Sequence, residues 1–211
     1  MTLPLPAAAR AALDRLLAAD PALATIEAGA GPLPWRTRPG GFPGLLQAIV
    51  GQQISNQAAA AIWRRLAALP GAREPAGLLA LSDEALRGAG LSRPKCAHAR
   101  ALAAAFAEGR LAEAAIAGMA DEAAIEAIIS VRGLGRWSAE VYLLFAEQRA
   151  DIFPAADLAL AAAAAALKRL PARPTPAALR TLAEPWRPWR DGCSGTIGAI
   201  SPAARPWMRC R

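Results

Sequence analysis

The sequence predicts an all-α fold of many short helices. Three observations carry that prediction. Alanine, leucine, arginine and glutamate, all strong helix formers, dominate the chain, and β-branched residues are sparse. Helix-start signals recur at Ser82 before Asp83 and Glu84, at Ser92 before Arg93-Pro94, at Asp121 before Glu122, and at Thr175 before Pro176. Stop signals recur at Pro70-Gly71, Gly88 to Gly90, Gly109, Gly118 and Gly133 to Gly135. Between these marks the spacing predicts helices over 7–18, 43–50, 54–69, 75–80, 83–89, 93–108, 111–117, 121–130, 136–147, 156–170 and 176–184. The Pro- and Gly-dense stretch 20–40 reads as a loop, with a short strand as the alternative. The alanine run 159–166 reads as plain helix, because alanine is the best helix former and lets helices approach closely.

Composition excludes several classes. The 211 residues are 55% hydrophobic, too apolar for a disordered chain, and a chain of this length buries roughly 70% of its unfolded surface, enough for one large domain or two small lobes. No window of eighteen apolar residues escapes charge, since Asp157 and Lys168 flank the alanine run, so no membrane span is expected. The start MTLPLPAAAR lacks the basic-then-apolar order of a secretory signal. Cys96, Cys193 and Cys210 match no zinc or iron–sulfur spacing and fit a reducing, cytoplasmic setting. His98 is the one histidine, so a His-based metal site or a Ser-His-Asp triad has almost nothing to work with. A net charge of +7 points weakly towards a polyanion such as nucleic acid.

The stretch Ile128-Ile129-Ser130-Val131-Arg132-Gly133-Leu134-Gly135-Arg136-Trp137-Ser138 ends one helix, turns on Gly-x-Gly and starts the next. Glycines let the backbone pass close to a ligand, and the free amides of the turn and of the new helix's start form a site for one phosphate. A tight αα-turn without a ligand fits the same residues. Val131 and Leu134 are expected to plug the turn into the lobe. Twenty residues past Trp137, Asp157 follows the Pro-bearing loop Asp151-Ile152-Phe153-Pro154 at a helix start. It fits an N-cap, and equally a carboxylate that stabilises positive charge on a sugar or orients a water. The LSRPKCAH run, with Lys95 and His98, reads as a solvated face, or otherwise as a face that tracks a nucleic-acid backbone.

In order and spacing, GQQIS (51–55), LSRPKCAHARALA (91–103), VRGLGRWSAEVYLLF (131–145), DIFPAADLAL (151–160) and WRPWR (186–190) resemble the helix-hairpin-helix–GPD superfamily of base-excision DNA glycosylases. The likeness is nearest to its DNA-3-methyladenine glycosylase II branch. It implies a two-lobed, multi-helix fold with the active site in the cleft between lobes. It places an N-terminal helical extension at 1–34, the glycosylase domain at 35–190 with its hairpin at 121–147, and an atypical tail at 191–211. The resemblance assigns Asp157 the catalytic carboxylate and Gly133, Gly135 and the Trp137 amide the phosphate grip. It assigns Gln53 the wedge that fills the gap left by a flipped nucleotide. It gives the carbonyls of Ile129, Val131 and Leu134 a monovalent cation, Na+ or K+, with no iron–sulfur cluster and no required cofactor. Arg132, standing where relatives have proline, and Arg136 add DNA contacts.

Trp137 sits where strand-cleaving relatives place a lysine nucleophile, so the resemblance implies a monofunctional enzyme using water to release alkylated purines of the 3-methyladenine type from duplex DNA. An indole face also attracts a cationic base by about 0.5–2 kcal/mol; core packing at a helix start is the other reading of Trp137. Tyr142, the one tyrosine, is expected to line the pocket. A monomer is expected. The glycine-, cysteine- and arginine-laden tail replaces the amphipathic helix that relatives carry after WRPWR, and reads as disordered or as frame-shifted translation. A non-catalytic DNA-binding module and a glycosylase with lyase activity are the alternatives.

Overall fold

The computed structural model describes residues 7–30, 37–188 and 190. All regular structure among these residues is helical, as predicted. The expectations for the tail 191–211, including a frame shift, fall outside the described residues. No described helix is long and apolar enough to cross a membrane. The described residues form two compact units, one from Arg38–Glu147 and one from the segments before and after it.

The first unit is built from α3 (Gly41–Gly51), α4 (Asn56–Ala67), α5 (Pro75–Ala80), α6 (Asp83–Gly88), α7 (Arg93–Ala107), α8 (Glu113–Gly118), α9 (Asp121–Ile129) and α10 (Arg136–Phe145). Side-chain caps mark the starts of α4 and α6. Ser55 and Ser82 accept hydrogen bonds from the amides of Ala58 and Ala85, each at 3.2 Å, which satisfies donors that an uncapped helix leaves open. Helix α7 lies at the centre and packs against α3, α5 and α6, while α10 packs against α9 and α3. Leu45, Leu46, Ile49, Leu102, Ile128 and Leu143 are fully buried. Each contributes about 1.5–3 kcal/mol of apolar transfer.

The second unit contains α1 (Ala7–Ala19), α2 (Pro21–Ala30), α11 (Leu158–Leu167), α12 (Pro176–Leu182) and a 3₁₀ turn over Glu184–Trp186. Helix α2 corrects the reading of 20–40 as loop. Its start signal is local: Pro21 occupies the first helical position, and the Asp20 carboxylate accepts from the Ala22 amide at 3.1 Å. The alanine run forms α11, and Ala161, Ala163 and Ala164 are buried in a core with Leu16, Leu23, Phe153 and Trp186. Asp20 also accepts from Trp186 Nε1 at 2.8 Å and pairs with Lys168. Burial alone would raise its carboxyl's pKa; the hydrogen bonds from Lys168 and Trp186 outweigh that and hold it below its ordinary value.

Candidate functional site

Three features hold the sequence-predicted residues: a helix hairpin and the α3–α4 turn in the Arg38–Glu147 unit, and an acid-bearing loop in the other unit.

The hairpin joins α9 to α10. The Leu134 amide donates to the Val131 carbonyl at 3.1 Å, and Val131 and Leu134 are 3% and 6% exposed, so the predicted plug is present. Gly133 takes φ +95°, a conformation costly to any residue with a Cβ. A Cβ there would also lie 2.2 Å from Cγ of His98. Gly135 is different: its φ of −104° suits any residue, and a Cβ would meet nothing within 4 Å. The amides of Gly133 and Gly135 donate to no acceptor among the described residues. Gly133 is thus demanded by the protein's interior, and the bare backbone at Gly135 faces open space at the positive end of the α10 dipole.

The charged residues on the hairpin divide by environment. Arg132 is exposed and pairs with no described residue. Arg136 is held by carboxylates on both helices: Glu122 of α9 and, at 2.9 Å, Glu140 of α10. The bond to Glu122, with that to Glu140, raises its pKa further above the ordinary guanidinium value. Arg136 therefore staples the hairpin's two helices. Over residues 38–147, eleven Lys and Arg face ten Asp and Glu, so this unit is close to neutral. This unit offers a polyanion amides and single arginines rather than a net positive charge.

Trp137, in the first turn of α10, is 38% exposed, and Ile129 at the end of α9 is 40% exposed. Tyr142 is 2% exposed; its hydroxyl accepts from the Gly41 amide at 2.8 Å and donates to Glu147 at 3.3 Å. Burial pushes its pKa well above the usual phenol range, with Glu147 and Glu113 adding to the shift. Its position ties the start of α3 to α10.

Gln53 stands exposed in the α3–α4 turn with φ +57°, and Ile54 beside it is 37% exposed. The turn lies against the hairpin: Gln52 Nε2 donates to the Gly133 carbonyl at 2.8 Å. Sequence reasoning missed Gln52 and His98, whose partners are remote in the chain. The LSRPKCAH run is not simply a solvated face. Lys95 donates to the Val50 carbonyl at the end of α3 at 2.7 Å, with its pKa lowered by burial, and His98 packs on Gly133. Burial raises the pKa of the Cys96 thiol, which keeps it protonated and inert.

In the other unit, Asp157 is the N-cap of α11. Its Oδ1 accepts from the amides of Ala159 at 2.8 Å and Leu160 at 2.9 Å, which fixes the carboxylate's orientation at the helix head. The loop before it is anchored at three points. Asp151 accepts from Arg190 Nε at 2.6 Å and pairs with Arg187, Phe153 packs edge-on to Trp186 with ring centroids 6.0 Å apart, and the Asp157 amide donates to the Pro154 carbonyl at 2.9 Å. No cluster of His, Cys, Asp or Glu suited to a metal ion occurs among the described residues.

Residues 46–188 match the family described as HhH-GPD superfamily base excision DNA repair protein. The chain is 30% identical over 135 residues to the DNA-3-methyladenine glycosylase 1 of Schizosaccharomyces pombe, covering 62% of this chain and 59% of that protein. It is 32% identical over 130 residues to the DNA-3-methyladenine glycosylase of Saccharomyces cerevisiae, covering 57% and 44%. The chain thus spans about three fifths of the first relative and under half of the second. Among solved structures, it superposes with a TM-score of 0.82 on the S. pombe 3-methyladenine DNA glycosylase (Mag1) in complex with abasic DNA, at 25% identity over 89% of this chain and 95% of that one. A DNA-3-methyladenine glycosidase from Bacillus halodurans gives a TM-score of 0.78 at 29% identity, covering 92% and 89%.

Proposed function

Since this chain belongs to the HhH-GPD superfamily of base excision DNA repair proteins, we propose that it is a monofunctional DNA glycosylase of the 3-methyladenine type, DNA-3-methyladenine glycosylase II, acting as a monomer on alkylated purines in duplex DNA through residues 35–190. The observation that carries the reading is Asp157, a carboxylate oriented by two amides at a helix head, in a loop anchored on Asp151 and Phe153. Its match to the family's catalytic acid supplies the chemistry.

In that chemistry the bond from the sugar to the base nitrogen breaks, and its electron pair leaves with the base. An N-alkylated purine already carries positive charge, so it departs neutral. The deoxyribose is left electron-poor; the Asp157 carboxylate stabilises that charge, and water adds to the sugar carbon and loses a proton. Trp137 offers its indole face to the cationic base, and with no amine at its position the chain lacks the family's Schiff-base nucleophile. Gly133, Gly135 and the Trp137 amide hold a backbone phosphate, Arg132 adds a charge to it, and Gln53 fills the vacated stack. Arg136 supports the grip by stapling α9 to α10, and Tyr142 steadies α10 by its bond from the Gly41 amide at the start of α3.

The family also implies a monovalent cation at the hairpin. The donors fit one: the carbonyls of Ile129, Val131 and Leu134 are neutral oxygens suited to a hard cation, α9 ends there with the negative pole of its dipole, and Val131's carbonyl keeps a second lone pair beside its bond from Leu134. Na+ or K+ there would offset charge beside the phosphate.

The test is methylated duplex DNA incubated with wild type and with Asp157→Asn. Asparagine is as good an N-cap as aspartate, so folding and DNA affinity are expected to hold while base release falls steeply. Release without strand nicking supports the reading. Nicking would assign lyase activity, and binding without release would assign a DNA-binding module.

A further inference from the structure

The exposed turn that carries Gln53 is joined to the hairpin by a side-chain bond, from Gln52 Nε2 to the Gly133 carbonyl at 2.8 Å, between residues 81 apart in the chain. Both ends of that bond are firmly held. Gly133 is backed by the His98 ring, which occupies the place of a Cβ. The Gln52 amide donates to the Ile49 carbonyl at 3.3 Å at the end of α3, and Ser55 caps α4 two residues past Gln53. Between them Gln53 keeps a left-handed backbone, which a residue with a long side chain adopts only where its surroundings impose it.

We infer that Gln52 is a positioning residue: it fixes the Gln53 turn to the phosphate-holding hairpin, so that seating a phosphate and inserting Gln53 into the base stack are one docking event. The inference rests on the glycosylase reading above for the roles of the hairpin and of Gln53. Inserted side chains tolerate little positional error, since a displacement of about 1 Å can cost on the order of a hundredfold in rate. A turn free to shift relative to the hairpin would present Gln53 at a variable offset from the gripped phosphate. A base would then flip without its gap being filled, and would return to the stack.

The experiment uses Gln52→Met, which keeps length and apolar packing but has no donor, together with Gln53→Ala and the double variant. Two quantities are read on the full chain: single-turnover release of a methylated purine, and the ratio of affinities for abasic and undamaged duplex. Gln52→Met is expected to slow release about tenfold and to narrow the affinity ratio, with affinity for undamaged duplex changed less than about twofold. The double variant is expected to release base no more slowly than Gln53→Ala alone, because Gln52 acts through Gln53. Wild-type release by Gln52→Met, or losses that multiply in the double variant, would overturn the inference. If Gln52→Met does not fold, Gln52→Glu, which sets an acceptor against the Gly133 carbonyl, is read in its place. A wild-type protein that releases no base refutes the glycosylase reading instead. The linkage is then read from the affinity ratio alone, where loss of the preference in Gln52→Met supports it and an unchanged ratio overturns it.

Discussion

Replacing Gly133 with alanine tests how the hairpin is built. The substitution imposes two separable costs. At φ +95° a residue with a Cβ is disfavoured by about 1–2 kcal/mol. The new methyl would also lie 2.2 Å from Cγ of His98 and 2.6 Å from its Cβ, so the ring must move, and overpacking of this kind costs about 1–3 kcal/mol. Together they predict a loss of about 2–5 kcal/mol, which for a chain of this size lowers the melting midpoint by about 4–20 °C. Thermal and urea unfolding of Gly133→Ala, His98→Ala and the double variant separates the two. In the His98→Ala background the ring's share of the clash vanishes while the 2.6 Å contact with the retained Cβ and the backbone share stay, so the cost of Gly133→Ala should fall by about 1 kcal/mol or more. Equal costs in both backgrounds would refute the claim that Gly133 makes room for the imidazole.

Gly135→Ala should behave in the opposite way: stability stays within about 1 kcal/mol, because no atom opposes the methyl and the weaker N-cap is offset by a less flexible unfolded chain, while affinity for duplex DNA drops in fluorescence anisotropy. Unchanged affinity would mean that nothing approaches the backbone there. Arg132→Ala should lower affinity and reduce the slope of log affinity against log salt by about one, whereas Arg136→Ala should leave that slope unchanged and cost about 1–3 kcal/mol of stability through its bonds to Glu122 and the buried Glu140. Asp20 predicts an acid-sensitive stability. Its folded pKa is depressed, so its contribution is present in full above the ordinary carboxylate range and is lost as pH falls through the lower folded value; Asp20→Asn should flatten unfolding free energy against pH in that window.

What the sequence made legible was local chemistry. Ser82 and Thr175 act within three residues of themselves, and the Val131–Leu134 plug lies inside one turn, so each could be read from neighbours alone; the Ser55 cap was not, because the spacing predicts a helix that begins at 54. Asp157 was legible as a cap for the same reason, whereas its chemistry came only from resemblance. Helix α2 was hidden because its Asp20-Pro21 start lies in a stretch whose prolines and glycines read as loop. The rest was beyond local reading because the partners meet only on folding: Gln52 with Gly133, His98 with Gly133, Arg136 with Glu122, and the Tyr142 hydroxyl with an amide 101 residues away. Periodicity places Tyr142 on a helix face; it cannot report which end of α3 that face will meet.

The left-handed backbone at Gln53 sets a limit on engineering for heat tolerance. Glycine there would relieve about 1 kcal/mol of conformational cost, so any screen scored on melting temperature alone is drawn towards it. On the proposed reading the same exchange deletes the side chain that fills the vacated stack, and a sturdier, idle protein is then the foreseeable winner of such a screen.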